Sequence, residues 1–210
     1  MPRTETNVRT LYQFNELSDS AKERARDWWR TVLGDDTDWA DCVIDDAATI
    51  AGILGIDLRQ RDVKLYGGGT RQEPRIYWDL GRGGGVGFDA SYSYVPGSAR
   101  AIREHAPGEG ELHAIATRLQ QAQRRYFYKL TADVSTRGSD CASITVSVYY
   151  DDEYELRPAD AQPVEDAIQS FAHWIHSALT REYEYRMSDE AVDDDIRANE
   201  YEFTEEGERA

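Results

Sequence analysis

Apolar positions along the chain follow two rhythms. In LSDSAKERARDWWRTVLG, Leu17 to Gly34, the residues Ala21, Ala25, Trp28, Trp29 and Val32 recur at the three-and-four spacing of one helical face. Ser18 or Ser20 supplies the N-cap, Ser20 and Glu23 fit a capping box, and Gly34 ends the run. A second helical face carries Trp39, Cys42, Val43, Ala47, Ile50 and Leu54. Between Ser98 and Arg125 the pattern predicts helix, broken around HAPGEGE, with Leu112, Ile115, Ala116, Leu119 and Ala122 inward. The strongest stripe, Val164, Ala167, Ile168, Phe171, Ile175, Ala178 and Leu179, predicts a long helix near the C-terminus.

Alternation by two marks the strands. Ile76, Trp78 and Leu80 share one side, and after a glycine-rich stretch Val86, Phe88, Ala90, Tyr92 and Tyr94 share it again. Tyr126, Tyr128, Leu130, Ala132 and Val134 repeat the pattern, followed by Ile144, Val146, Val148 and Tyr150. Val8 to Phe14 reads as a further short strand. The order is two helices, hairpin, helix, hairpin, helix. It predicts an α+β fold: an antiparallel sheet of about four strands in two hairpins, with helices packed on one face. Residues 1–186 form the single expected domain. Residues 187–210 hold too few apolar side chains for a buried helix and are expected to be a solvated acidic tail.

The glycines of DLGRGGGVGFDASYSY, Asp79 to Tyr94, pose a chemical question. A dinucleotide fingerprint sets its glycines between a strand and a helix N-terminus, where free amides meet a pyrophosphate. A P-loop needs Lys-Ser/Thr directly after its last glycine. Here the run enters an alternating strand with no lysine nearby, so it reads as a hairpin tip, and no cofactor is expected.

Charge changes the picture most. Against 24 basic residues stand 40 acidic ones, a net of −16. Six aspartates lie between Asp35 and Asp46 without one basic residue, and four acids lie between Asp151 and Glu155. From Glu182 onward twelve acids face three arginines, whereas Gly97 to Arg137 has seven basic residues against four acidic ones. Such a chain repels nucleic acid and membrane surfaces and attracts basic proteins over a range set by salt. No apolar run approaches the roughly 18–20 residues of a membrane span, and MPRTETNVRTLYQF lacks the apolar core of a secretory signal. The expected location is the cytoplasm. Cys42 and Cys141 lack metal-ligand spacing and read as buried reduced thiols.

Catalytic motifs are scarce. His105 and His113 flank a Pro-Gly loop, and His173 and His176 lie one turn apart without the glutamate of H-E-x-x-H. Asp151, Asp152 and Glu153 have the residue types of a Mg²⁺ site at a strand end, but no lysine or histidine pairs with them in register. RRYFYK, Arg124 to Lys129, mixes bases and aromatics as single-strand binders do; in so acidic a chain it reads as a helix end entering a strand, with Tyr126 and Tyr128 inward. No catalytic or metal residues are assigned. The candidates for contact with a basic partner are Asp35, Asp36, Asp38, Asp41, Asp45 and Asp46, with Asp151, Asp152 and Glu153 as a second patch.

Three stretches carry a resemblance: LYQFNELSDSAKERARDWWR, YSYVPGSARAIREHAP and SDEAVDDDIRANEYEFTEEGERA. In that order they resemble a family encoded by bacteriophages and prophages, some members of which bear an antitoxin-type label. The resemblance implies an accessory phage protein in a bacterial host cell. Joined to the charge, it suggests a non-catalytic inhibitor of a basic, nucleic-acid-binding host protein, of the anti-defence, anti-CRISPR-like or DNA-mimic type. Two alternatives are an antitoxin that neutralises a basic toxin and a small metal-dependent enzyme acting on nucleotides or phosphodiesters. A homo-oligomer is compatible with either binding role.

Overall fold

The computed structural model describes residues 9–34, 36–137 and 140–210, with backbone only at 137 and 140–142. In chain order, β1 (Tyr12–Gln13) leads through a 3-10 turn (Phe14–Glu16) to α1 (Asp19–Gly34) and α2 (Ala40–Leu54). Six short strands follow: β2 (Ile56–Leu58), β3 (Gln60–Lys64), β4 (Thr70–Pro74), β5 (Ile76–Trp78), β6 (Val86–Phe88) and β7 (Ala90–Ser93). Then come α3 (Ser98–His105), α4 (Gly110–Arg125), β8 (Leu130–Arg137), β9 (Asp140–Tyr150) and β10 (Tyr154–Glu155). The last elements are α5 (Pro158–Arg186), α6 (Asp189–Ala198) and β11 (Glu202–Phe203). The fold is α+β, and it groups into two compact units: residues 1–39 with 181–210, and residues 40–180.

The first unit corrects the expectation of a solvated tail. Ser188 caps α6 by accepting from the Ala191 amide at 3.3 Å. Val192 and Ile196, one turn apart, and Phe203 are buried against Phe14, Leu17, Ala21 and Ala25. β1 and β11 pair antiparallel, Tyr12 opposite Phe203. Three apolar side chains suffice at this end because α1 and the 3-10 turn supply the rest of the core. Ser18 takes the capping role on α1, accepting from Ala21 N–H at 3.3 Å, while Val32 turns out to solvent. Val8, at the head of the expected first strand, lies outside the described residues.

Charges reinforce this core. Arg26 holds Asp193 with two parallel bonds, Nε to Oδ1 at 2.6 Å and Nη2 to Oδ2 at 2.9 Å. Both side chains are mostly covered, 16% and 14% exposed. Hydrogen bonding from Arg26 holds the Asp193 carboxyl below its usual range, against the opposing effect of burial. Arg30 pairs with Asp189, the Trp29 indole donates to Asp195 at 3.2 Å, and Arg26 and Arg197 both lie over the Phe14 ring.

The second unit holds one antiparallel sheet of five strands, β10-β9-β8-β7-β2, with two further hairpins, β3–β4 and β5–β6. The run Val86 to Tyr94, expected as one strand, branches at Asp89. There β6 pairs with β5, and β7 joins the large sheet between β2 and β8. Three backbone bonds close a ring at the branch. Arg59 N–H donates to Asp89 at 2.8 Å, Asp89 N–H to Arg75 at 3.1 Å, and Arg75 N–H to Arg59 at 2.7 Å. The Asp89 carboxylate fixes the corner by accepting from Thr136 N–H at 3.0 Å and from its hydroxyl at 3.2 Å.

One face of the large sheet is buried through Ala90, Tyr92, Ala132, Val134 and Val148, while Ser91, Ser93, Asp133 and Ser135 on the other are exposed. The helical stripes of α2 to α5 contribute Ala47, Ile50, Ile102, Ile115, Ile168 and Phe171 to the core, and the Phe171 and Phe88 rings meet edge to face. Gln123, wholly buried at the end of α4, treats Leu130 as a strand would. It donates to the Leu130 carbonyl at 2.6 Å and accepts the Leu130 amide at 3.1 Å. Its amide also meets the Tyr92 hydroxyl at 3.3 Å, and burial pushes that phenol up to about 12.

The Asp193 pair has a measurable consequence. A carboxylate with a depressed folded pKa adds stability above its unfolded pKa, about 3.9, and loses it as pH falls through the folded value. The melting temperature of the first unit should therefore drop below about pH 4 in the parent and less steeply in Asp193→Asn. At neutral pH that variant should lose about 1–3 kcal/mol. Deleting Ser188 to Ala210 should unfold the unit. Circular dichroism melts across pH report all three, and identical acid profiles for parent and Asp193→Asn would contradict the account.

Candidate functional site

The carboxylates expected to face a partner are divided between the two units. Asp35 lies outside the described residues. Asp36 and Asp38 belong to the first unit, exposed, with the Asp38 amide donating to Asp36 Oδ1 at 2.9 Å in a local turn. Asp41, Asp45 and Asp46 ride on α2 in the second unit. Asp41 is ion-paired with Arg71 at 3.5 Å, and Asp46 meets His105 Nε2 at 3.2 Å. Asp45 makes no ion pair among the described residues. Cys42 is exposed rather than buried, because it shares the outward face of α2 with Asp45 and Asp46. The Cys141 side chain lies outside the described set.

The second patch is held more firmly. Asp151 and Asp152 turn the chain from β9 to β10 with left-handed backbone, φ 55° and 57°, a conformation that aspartate tolerates better than most residues. Asp151 N–H donates to the Lys129 carbonyl at 3.0 Å, and Lys129 Nζ reaches the Asp151 carboxylate at 2.8 Å. The Thr131 hydroxyl donates to Asp152 at 2.6 Å. Asp152 also borders a hollow of about 350 Å³ on the uncovered sheet face, together with Ser91, Ser93, Asp133 and Tyr149.

Beside this turn the chain departs from expectation. Arg124 to Lys129 does not run into a strand with Tyr126 and Tyr128 inward. α4 stops at Arg125, and Phe127 and Tyr128 take left-handed backbone at φ 54° and 63°. Gln123 explains the reversal, since its carbonyl accepts the Tyr128 amide at 2.8 Å while its side chain fixes Leu130. Phe127 is left 80% exposed and Tyr128 45%. An open groove of about 330 Å³ runs past Arg125, Tyr126, Phe127, Tyr150, Tyr154 and Leu156. No signal for this groove is readable in the sequence, because bulky residues rarely adopt that backbone.

The glycine run is a hairpin tip between β5 and β6. Asp79 Oδ1 accepts the Gly81 amide at 2.7 Å, Gly84 N–H donates to the Gly81 carbonyl at 2.9 Å, and Gly83 has φ 82°. With His173, His176, Gln169 and Ser143, Gly84 and Gly85 line an open cavity of about 480 Å³. His113 Nε2 meets the Ala106 carbonyl at 2.8 Å. Among the described residues no three His, Cys, Asp or Glu side chains group as a metal site, and no helix is long and apolar enough to cross a membrane.

Residues 39–189 match a family described as a domain of unknown function (DUF8835), and the chain belongs to that family. No curated protein and no solved structure matches it. The matched span contains the whole second unit, including α2, the Asp151–Glu153 turn and the aromatic groove.

The tip geometry makes a graded forecast. A Cβ on Gly84 would sit 2.1 Å from the Asp79 carbonyl oxygen, so Gly84→Ala forces the hairpin open. Gly83→Ala meets no neighbour and suffers only its positive φ, about 1 kcal/mol. Thermal melts should rank parent, Gly83→Ala, Gly84→Ala in falling stability. A Gly84→Ala protein that melts like the parent would contradict the turn.

Proposed function

We propose that this DUF8835 member is a non-catalytic binding protein, a phage accessory protein that occupies the nucleic-acid groove of a basic host protein in the bacterial cytoplasm. The supporting observation is that acidic side chains of the second unit stand exposed on ordered backbone. Asp41 and Asp45 lie one turn apart on α2, and Asp151 and Asp152 are fixed by Lys129 and Thr131 beside an uncovered sheet face. Carboxylates held this way offer an arginine fork a fixed geometry. Their present partners do not block them. The Asp41–Arg71 and Asp151–Lys129 pairs are each about half exposed, and exposed pairs are worth about 0–1 kcal/mol, so a partner's arginine displaces them at little cost.

The first unit adds long-range attraction. Its 20 acidic residues against 10 basic ones, a net of −10, raise the encounter rate with any cationic protein. The same field repels phosphate, so direct nucleic-acid binding is not part of the proposal.

The test begins with a tagged pull-down from the bacterial host and continues as surface-based kinetics on the partner identified. Affinity should fall at least about tenfold between roughly 50 and 500 mM salt, and duplex DNA should compete. Asp41→Asn with Asp45→Asn, or Asp151→Asn with Asp152→Asn, should raise the dissociation rate. Binding indifferent to salt and to both pairs of substitutions would rule the proposal out.

A further inference from the structure

The aromatic groove goes beyond the binding role and does not depend on it. Burying Phe127 would be the ordinary fate of so large an apolar side chain, yet it is 80% exposed, and Tyr154, which lines the same groove, is 66% exposed. Four non-glycine residues at this corner, Phe127, Tyr128, Asp151 and Asp152, hold left-handed backbone. Such conformations persist only where surrounding bonds over-determine them, and here the Gln123, Lys129 and Thr131 contacts do so. The ring of Phe127 is thus presented on a fixed support beside a groove of about 330 Å³.

Charge around the groove identifies the occupant. Arg125 lines the groove and pairs with no carboxylate among the described residues. Tyr154 lines it too, and its chain neighbours Glu153 and Glu155 are exposed and pair with no cation among the described residues. An exposed apolar knob, an apolar groove and both signs of unpaired charge thus lie within one patch. That combination is self-complementary under a two-fold axis, which sets each copy's knob against the other's groove and each arginine against the other's glutamates. Three basic residues at 124–129 against four acids at 151–155 also make this corner nearly neutral in a chain of −16. Self-repulsion is weak there.

We propose that this corner is a homodimer interface, with Phe127 of each copy seated in the other's groove and Arg125 facing Glu153 and Glu155 across the two-fold axis. Screening should strengthen it, because two chains of like charge must approach. Sedimentation equilibrium on the full chain tests this. The expected result is a mass rising toward twice 23.9 kDa with concentration, and rising further between about 50 and 500 mM salt. Phe127→Gly suits the left-handed backbone, so it should keep the fold and remain monomeric. Arg125→Glu should also be monomeric, and mixing it with a Glu153→Arg, Glu155→Arg double variant should restore a mixed dimer. A parent monomeric up to about 1 mM at every salt concentration would overturn the proposal. So would a dimer that survives Phe127→Gly, or charge variants that fail to pair on mixing.

Discussion

Arg26 reaches Asp193 where an acidic helix packs on the first helix, and that contact lets the first unit's charge lie against its apolar core. Twice as many acids as bases in 69 residues would drive α6 away from α1 unless cations stood between them. Arg26 does this from α1, while Arg197 pairs with Asp193 and Asp194 within α6; both guanidinium groups lie over Phe14, so they serve the apolar core and neutralise Asp193 together. What reads in the sequence as surplus charge is, in this unit, partly consumed inside the fold.

The second unit meets a different constraint, because three strand pairs must diverge from one point. The ring of backbone bonds through Arg59, Arg75 and Asp89 satisfies the amides that a branching ladder would otherwise strand. From that corner β5 and β6 carry the glycine tip to the cavity it shares with His173 and His176 of α5, while β7 enters the sheet whose far end holds the Asp151 turn. The placing of the acidic and aromatic features therefore follows from the sheet, not from local sequence around them.

Helical stripes were legible wherever a helix buries one full face, as with Ala47, Ile50 and Leu54 or with Val164, Ile168 and Phe171. The glycine tip was legible too, since an alternating strand follows it. β3 and β4 were not, because none of their side chains is buried and no alternation is left to read. The branch at Asp89 was invisible for the opposite reason: alternation continues through it from Phe88 to Ala90. Residues 187–210 misled because Val192, Ile196 and Phe203 are few by count, and only pairing with α1 makes them a core. Of the candidate carboxylates, residue type was readable but partnership was not, since Arg71, His105 and Lys129 come from distant parts of the chain.

The proposed binding role requires one placement: a cationic partner would meet the second unit's carboxylates at Asp41 and Asp45 on α2 and at Asp151 and Asp152 beside the uncovered sheet face. Hydrogen exchange with mass spectrometry, on the chain alone and with its captured partner, tests that placement directly. The expected result is new protection at residues 40–49 and 149–155, with the α1 and α6 segments unchanged. Protection confined to α6 and β11, with residues 40–49 and 149–155 exchanging as before, would contradict it.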